Sequence, residues 1–506
     1  MQSRKKNSAR NIITGLISKV IVFVFAFICR TVFVRLLGAE YTGINGLYTN
    51  ILTVLALADL GIGNVFSFSL YKYLANDDKN GVAGLIAAFR KLYIIIGLVI
   101  FSCGLLVIPL LPVIVKSTLP IDKVCLYYVL SLLNSVASYF FVYKTTILIA
   151  DQKQYITNIW TTVFQCVMYS AQIGYLLCFK DFTGYLVIQI VCTISRNILL
   201  SLIADKNYGY IKKGSEVKPI RGQFHNLWNN IKATFIYKIC TVALTNTDNL
   251  LISMILGTAF VGYYSNYFML VQYVAAYVFI LTSGLHASVG NYQATSDIEK
   301  SYSLFRSLNF VYSTIACVVI TIFISCIQDF IPLWVGKEYV LGFDSVIAIL
   351  LVLYIDIVLS PITLYRETLG LFTQVQYIMV PAAIINIILS IILGNWLGLA
   401  GIILATSISK LLTCSWYEPM ILYKFFNRNL SEYFLKQITY LLTTILSSAA
   451  TFYIVRNMPK NLPGIFLRAL SGLLVALLFS ALFNIRSSEI RYLLGLVKPM
   501  LARNKR

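Results

Sequence analysis

The stretch NIITGLISKVIVFVFAFICRTVFVRLLG, residues 11–38, decides the fold. It is an apolar run long enough to cross a bilayer, which takes about 20 residues of helix, yet it carries Lys19 and Arg30. A charge near the bilayer centre costs about 2.5–3.5 kcal/mol on insertion scales, so two cations kept there need a reason. Eleven residues turn an ideal helix by about 1100°, which sets Lys19 and Arg30 within roughly 20° of each other on one face and about 16 Å apart in depth. Asn11, Gly15, Ser18 and Ala26 fall near the same stripe. A helix with one basic, small-residue stripe turns it to protein or a wet cavity and gives the rest of its surface to lipid.

Working outward, apolar runs of this kind recur to the end of the chain. Its 506 residues are 58% hydrophobic and 12% charged, a balance that soluble domains do not show. Fourteen runs can be marked, from 12–37 and 42–70 through 374–394 and 398–423 to 434–456 and 462–485. The reading is an all-α polytopic membrane protein of 14 transmembrane helices. The first run has no small-residue cleavage site and is too long for a signal segment, so it reads as a retained helix. Most of the 41 Lys and Arg fall in alternate loops together with both termini, which places the two ends in the cytoplasm.

The formal charge of +21 is on this reading a topology signal. Nucleic-acid binding would need the basic residues gathered in a folded domain with aromatics, and no such domain fits between the runs. The ten Cys lie in or beside apolar runs with no CxxC, so they read as small core residues, neither disulfides nor metal ligands.

The chain also repeats itself. Asn11-Ile12 through Lys19 pairs with Asn230-Ile231 through Lys238, and LGAEYTGINGLY at 37–48 pairs with LGTAFVGYYSNY at 256–267, both at an offset of 219. The longest match sets YKTTILIADQKQYI at 143–156 against YRETLGLFTQVQYI at 365–378, and Ile194-Ser195-Arg196 matches Ile408-Ser409-Lys410. Matches in one order imply duplication. The offset spans six runs, an even number, so the copies share one orientation and a pseudo-two-fold axis along the membrane normal relates them. The expected organisation is an N-lobe over 1–205, a basic cytoplasmic linker over 206–228, a C-lobe over 229–425, and two added helices with a basic tail over 426–506.

Fourteen helices as six, six and two, the hairpin LLGAEYTGINGLYTNILTVLALADLGIG at 36–63 and its echo TDNLLISMILGTAFVGYYSNY at 247–267 resemble the polysaccharide-transporter branch of the multidrug/oligosaccharidyl-lipid/polysaccharide flippase superfamily. The resemblance implies a bacterial cytoplasmic-membrane flippase. Such a protein moves an undecaprenyl-diphosphate-linked oligosaccharide, of the O-antigen or capsule kind, from the inner to the outer leaflet by alternating access through a cationic cavity. It would work beside membrane lipid and polysaccharide polymerase machinery, with no cofactor and no catalytic motif to transfer.

The candidate cavity cations therefore rest on position, charge and the repeat: Lys238, Lys19, Arg30, Arg196 and Lys410. Lys19 has a competing partner in Asp59, at the same depth on the second helix, whereas Val278 stands at the position that would neutralise Lys238. Arg30 and Asp248 are expected to pair across the cleft as a gate. Asp356, Ser360, Thr363 and Glu367 share a helix face interrupted at Pro361 and are candidates for sugar contact or ion coupling. Snorkelling to the interface is the competing reading for Arg196 and Lys410, and the one assigned to Arg35, Arg366 and Arg468, near helix ends. His286 reads as a structural group.

No GxxxxGK[ST] and no HExxH occurs, so the groups of ATP hydrolysis and zinc chemistry are missing. Rival readings are a lipid II flippase, a small-cation antiporter of the same superfamily and a membrane glycan polymerase. The antiporter should have an acid-lined cavity and the polymerase a sizeable outer loop.

Overall fold

Gly38 ends the first apolar run with a bend rather than a break. The computed structural model describes residues 2–56, 70, 73–74, 76–213, 239–295, 297–485 and 487–492. In it, α1 (Gln2–Leu55) continues through Gly38 at a φ of 86°, a left-handed backbone that glycine adopts without a Cβ penalty. Glu40, just past the bend, accepts from the Ser117 hydroxyl at 2.7 Å and from the backbone N–H and hydroxyl of Thr118, which fixes the turn to the neighbouring loop at 115–120.

Contacts divide the chain into two compact units, 1–262 and 263–506. In the first, α1 lies along α4 (Gln154–Phe179). Asn11 joins them: its Nδ2 donates to the Gln152 carbonyl at 3.0 Å, and its Oδ1 accepts from the Tyr155 N–H at 2.7 Å. The Asn11 and Gly15 side of the stripe thus meets a helix of its own unit. α3 (Ile121–Ala150) lies between α2 (Lys79–Val107) and α5 (Phe182–Asn207). Buried rings fill the unit, and two of them bond backbone at their polar ends: Tyr48 donates to the Val124 carbonyl at 2.7 Å and Tyr128 to that of Gly104 at 3.0 Å. Asp78 and Asp181 cap α2 and α5 by accepting from the N–H of Gly81 and Gly184.

α6 (Asp248–Leu256) and the first turn of α7 (Thr258–Thr295) also belong to the first unit. Ser253 donates to the Ile114 carbonyl at 2.7 Å and Thr258 to that of Lys116 at 3.0 Å. Gly257, the repeat counterpart of Gly38, turns between them at a φ of 103°.

In the second unit, α8 (Ile298–Trp334) is flanked by α9 (Phe343–Thr368), α12 (Leu430–Val455) and α13 (Leu462–Asn484). α10 (Phe372–Leu412), bent at Gly398, and α11 (Cys414–Phe425) pack on α9. The two helices without a repeat counterpart, α12 and α13, join α8 through small polar residues. Thr321 meets Ser447 at 3.0 Å and Thr314 meets Ser480 at 3.0 Å, the close hydroxyl seam by which helices associate in lipid.

Twelve candidate spans lie among the described residues. The two longest, of 43 and 49 residues, contain Gly38 and Gly398, near which the sequence reading divides its runs. Phe279 at 69% and Trp396 at 80% exposure typify a surface whose solvent is lipid. Among the described residues every regular element is helical, as the sequence predicts.

Candidate functional site

In the second unit the charges collect on α9. Lys410 of α10 is buried, at 6% exposure, and its Nζ lies 2.6 Å from Asp356 Oδ1. The Asp356 side chain is half exposed, so the pair neutralises Lys410 while leaving one carboxylate face open. Three turns further along α9, Glu367 Oε2 meets His286 Nε2 of α7 at 2.7 Å. Beside it, Arg366 Nη1 lies 2.8 Å from Glu418 Oε2 of α11, and both side chains are almost fully buried. Arg366 is thus an interior ion pair, not a snorkelling group. Arg468 departs from the sequence expectation in the same way: it is buried, bonded to Asp329, and donates to the Met458 carbonyl at 2.6 Å. Arg35 is exposed.

The repeat contained the signal for Arg366. In the 143–156 and 365–378 match it stands opposite Lys144, and Lys144 Nζ lies 2.8 Å from Asp205 Oδ2. Each unit therefore holds a cation at the same place on its fourth repeat helix, neutralised by an acid near the end of the sixth.

The second symmetric position differs. Carrying the same match nine residues back along α3 and α9 sets Asn134 opposite Asp356, and Arg196 stands opposite Lys410. Where one unit has a carboxylate, the other has an amide. Arg196 is half-buried on α5, and its guanidinium donates to Asn197 Oδ1 at 3.1 and 3.2 Å. Among the described residues no carboxylate pairs with Arg196 or with Lys19, whose side chain is exposed.

Of the other sequence candidates, Arg30 is half-buried, and Asp248 is buried at the first position of α6, both within the first unit. Lys238 and Asp59 lie outside the described residues. Ser360 donates to the Asp356 carbonyl at 2.8 Å. The ten Cys are all free thiols, and among the described residues no group of His, Cys, Asp and Glu is arranged to hold a metal ion.

The family model described as "Polysaccharide biosynthesis protein" matches residues 8–283, more than half of the chain. The chain belongs to the polysaccharide biosynthesis protein family. Among solved structures, this family member is similar to the lipid II flippase MurJ in an inward closed conformation, with a TM-score of 0.66 at 18% identity over 94% of this chain and 99% of that one. It is also similar to an inward-facing multidrug resistance MATE transporter of the MOP superfamily, with a TM-score of 0.61 at 13% identity over 79% of this chain and 96% of that one. The Vibrio cholerae MATE transporter VcmN in its bent form gives a TM-score of 0.53 at 14% identity, over 84% of this chain and 98% of that one. At these identities the likeness is one of fold. A search of curated proteins returns no match. The polysaccharide biosynthesis family member is thus a multi-pass membrane protein with the fold of this transporter superfamily.

Proposed function

We propose that this polysaccharide biosynthesis family member is a flippase that carries undecaprenyl-diphosphate-linked oligosaccharide repeat units from the cytoplasmic to the outer leaflet of a bacterial cytoplasmic membrane by alternating access. It crosses fourteen times on this reading, each bent helix counting twice. The observation that carries the proposal is Arg196, a half-buried guanidinium inside a membrane-spanning helix with no carboxylate partner among the described residues, while its repeat counterpart Lys410 is neutralised by Asp356. A cation left uncompensated in a membrane helix is costly, and a diphosphate supplies the missing charge with oxygens that suit a guanidinium fork.

Lys19, and Lys238 by repeat position, would complete the cationic path; the glycan would fill the space beside it while the prenyl tail stays in lipid. An anionic head group leaving a negative-inside cytoplasm gains about 2.3 kcal/mol per uncompensated charge per 100 mV, so the membrane potential favours the outward direction.

The test is leaflet transfer of undecaprenyl-diphosphate oligosaccharide in proteoliposomes. Wild type should transfer it, Arg196→Gln and Lys238→Gln should lose at least ten-fold in rate while eluting as the same folded species, and Arg196→Lys should retain part of it. A folded Arg196→Gln protein with wild-type rate removes the cationic mechanism. Lipid II is the second reading, favoured by the likeness to MurJ over 94% of this chain; transfer of lipid II in preference to other glycan carriers would decide for it.

A further inference from the structure

A cavity of about 400 Å³ opens within the first unit, between the part of α1 beyond Gly38, α3 and α5. That size falls in the range of small-molecule sites, about 300–1,000 Å³. Its wall among the described residues is polar but not ionic: Asn45 and Thr49 from α1, Ser131, Asn134 and Ser138 from α3, and Gln189 from α5, with no Lys, Arg, His, Asp or Glu among the described lining residues.

Amides and hydroxyls facing a cavity inside a membrane protein are retained against a desolvation cost and mark a polar occupant. Some of these groups are satisfied within their own helix, since Thr49 donates to the Asn45 carbonyl and Ser131 to that of Tyr127. Asn134 is not: its buried Oδ1 accepts no hydrogen bond. An acceptor in that state lacks a donor. The same position in the other unit carries Asp356, paired with Lys410, so the two copies differ in electrostatic character at one place in the repeat.

We propose that this cavity binds an uncharged, polyhydroxylated segment of the translocated glycan, with a turn of the Asn134 amide bringing its unpartnered Oδ1 to a sugar hydroxyl and Ser138 and Gln189 bonding on either side. This rests on the flippase reading and adds a selectivity to it. Sugar hydroxyls donate and accept as amides and hydroxyls do, whereas a uronate placed here would leave water with no cation among the described lining residues to meet it.

Soluble probes without lipid or phosphate read the cavity apart from transport. Saturation-transfer NMR on the full-length detergent-solubilised protein would use maltotriose, N,N′-diacetylchitobiose and digalacturonic acid. At least one neutral probe should bind and digalacturonic acid should not. Asn134→Leu should weaken the neutral probe about ten-fold. Ser138→Ala, which removes the hydroxyl and adds no bulk, should weaken it in the same direction and serves where Asn134→Leu does not fold. Absence of neutral binding to wild type, equal binding to the variants, or equal binding of digalacturonic acid overturns the inference. Failure of wild type to transfer any lipid-linked glycan would instead sink the flippase reading, whatever the probes show.

Discussion

Gly43 and Gly262, 219 residues apart and equivalent in the repeat, hold one another's partners: a Cβ on Gly43 would stand 1.9 Å from the Thr258 carbonyl oxygen, and one on Gly262 would stand 2.0 Å from that of Ala39. Ala39 and Thr258 are themselves repeat equivalents. The reciprocity is that of a local two-fold relation between these two helix starts. Only residues without a side chain allow backbones to approach so closely.

Alanine at either glycine should therefore act by overpacking, at about 1–3 kcal/mol each. Once one Cβ has pushed the helices apart, the second finds room, so Gly43→Ala with Gly262→Ala should cost less than the sum. Thermal unfolding of the purified single and double variants checks this; a strictly additive pair would mean that the two contacts are independent.

The Lys410–Asp356 pair makes a different prediction. Asp356→Asn leaves a buried ammonium uncompensated and should destabilise the protein by a few kcal/mol, while Asp356→Asn with Lys410→Met should recover most of the loss. A thermal-shift cycle over the four proteins measures it, and a double variant no better than the worse single would show that the ions are not acting as a pair.

Arg366→Gln should be more damaging than Lys144→Gln. It strands Glu418, whose side chain is 6% exposed, whereas the Asp205 side chain left by the other variant is 10% exposed and sits nearer a helix end. Rescue of Arg366→Gln by Glu418→Gln, read as recovered Tm, is the expected outcome; failure of that rescue would assign Arg366 a role beyond neutralising Glu418.

Acid stability should depend on Glu489, which follows the last span. Burial by itself would raise its carboxyl, but its own backbone N–H, Arg306 at 2.6 Å and Lys436 at 3.4 Å hold it below the ordinary 4.5. Asp181, at the N-cap of α5, is held low in the same sense by the N–H groups of Gly184 and Thr183 against its burial. Carboxyls lowered in the fold bind more protons when unfolded, so their contribution is complete above the ordinary values and is lost as pH falls through the lower folded ones. Tm should fall between about pH 5 and about pH 3, and less steeply in Glu489→Gln; an unchanged slope would remove Glu489 from the acid limb.

Hydropathy and the internal matches make the helical architecture legible, because a bilayer forces long apolar runs and a duplication preserves their order. The site is legible only in part. Lys410 and Asp356 are both visible as membrane-embedded charges, but their pairing depends on how α9 meets α10, which no spacing along one helix encodes. Arg366 misleads for a local reason: nearness to a helix end suggests snorkelling, while its partner Glu418 lies on another helix. The repeat would have corrected this, since a cation kept in both copies of YKTT and YRET is a fixed interior feature.

The paired ions Lys144–Asp205 and Arg366–Glu418 also constrain how the chain can drift. A lone substitution at Lys144 or Arg366 takes away the cation 2.8 Å from a buried carboxylate, so viable change there comes in compensated steps. Across relatives, positions 144 and 205 should covary, as should 366 and 418, and the two couples should vary independently because each is closed within its own half.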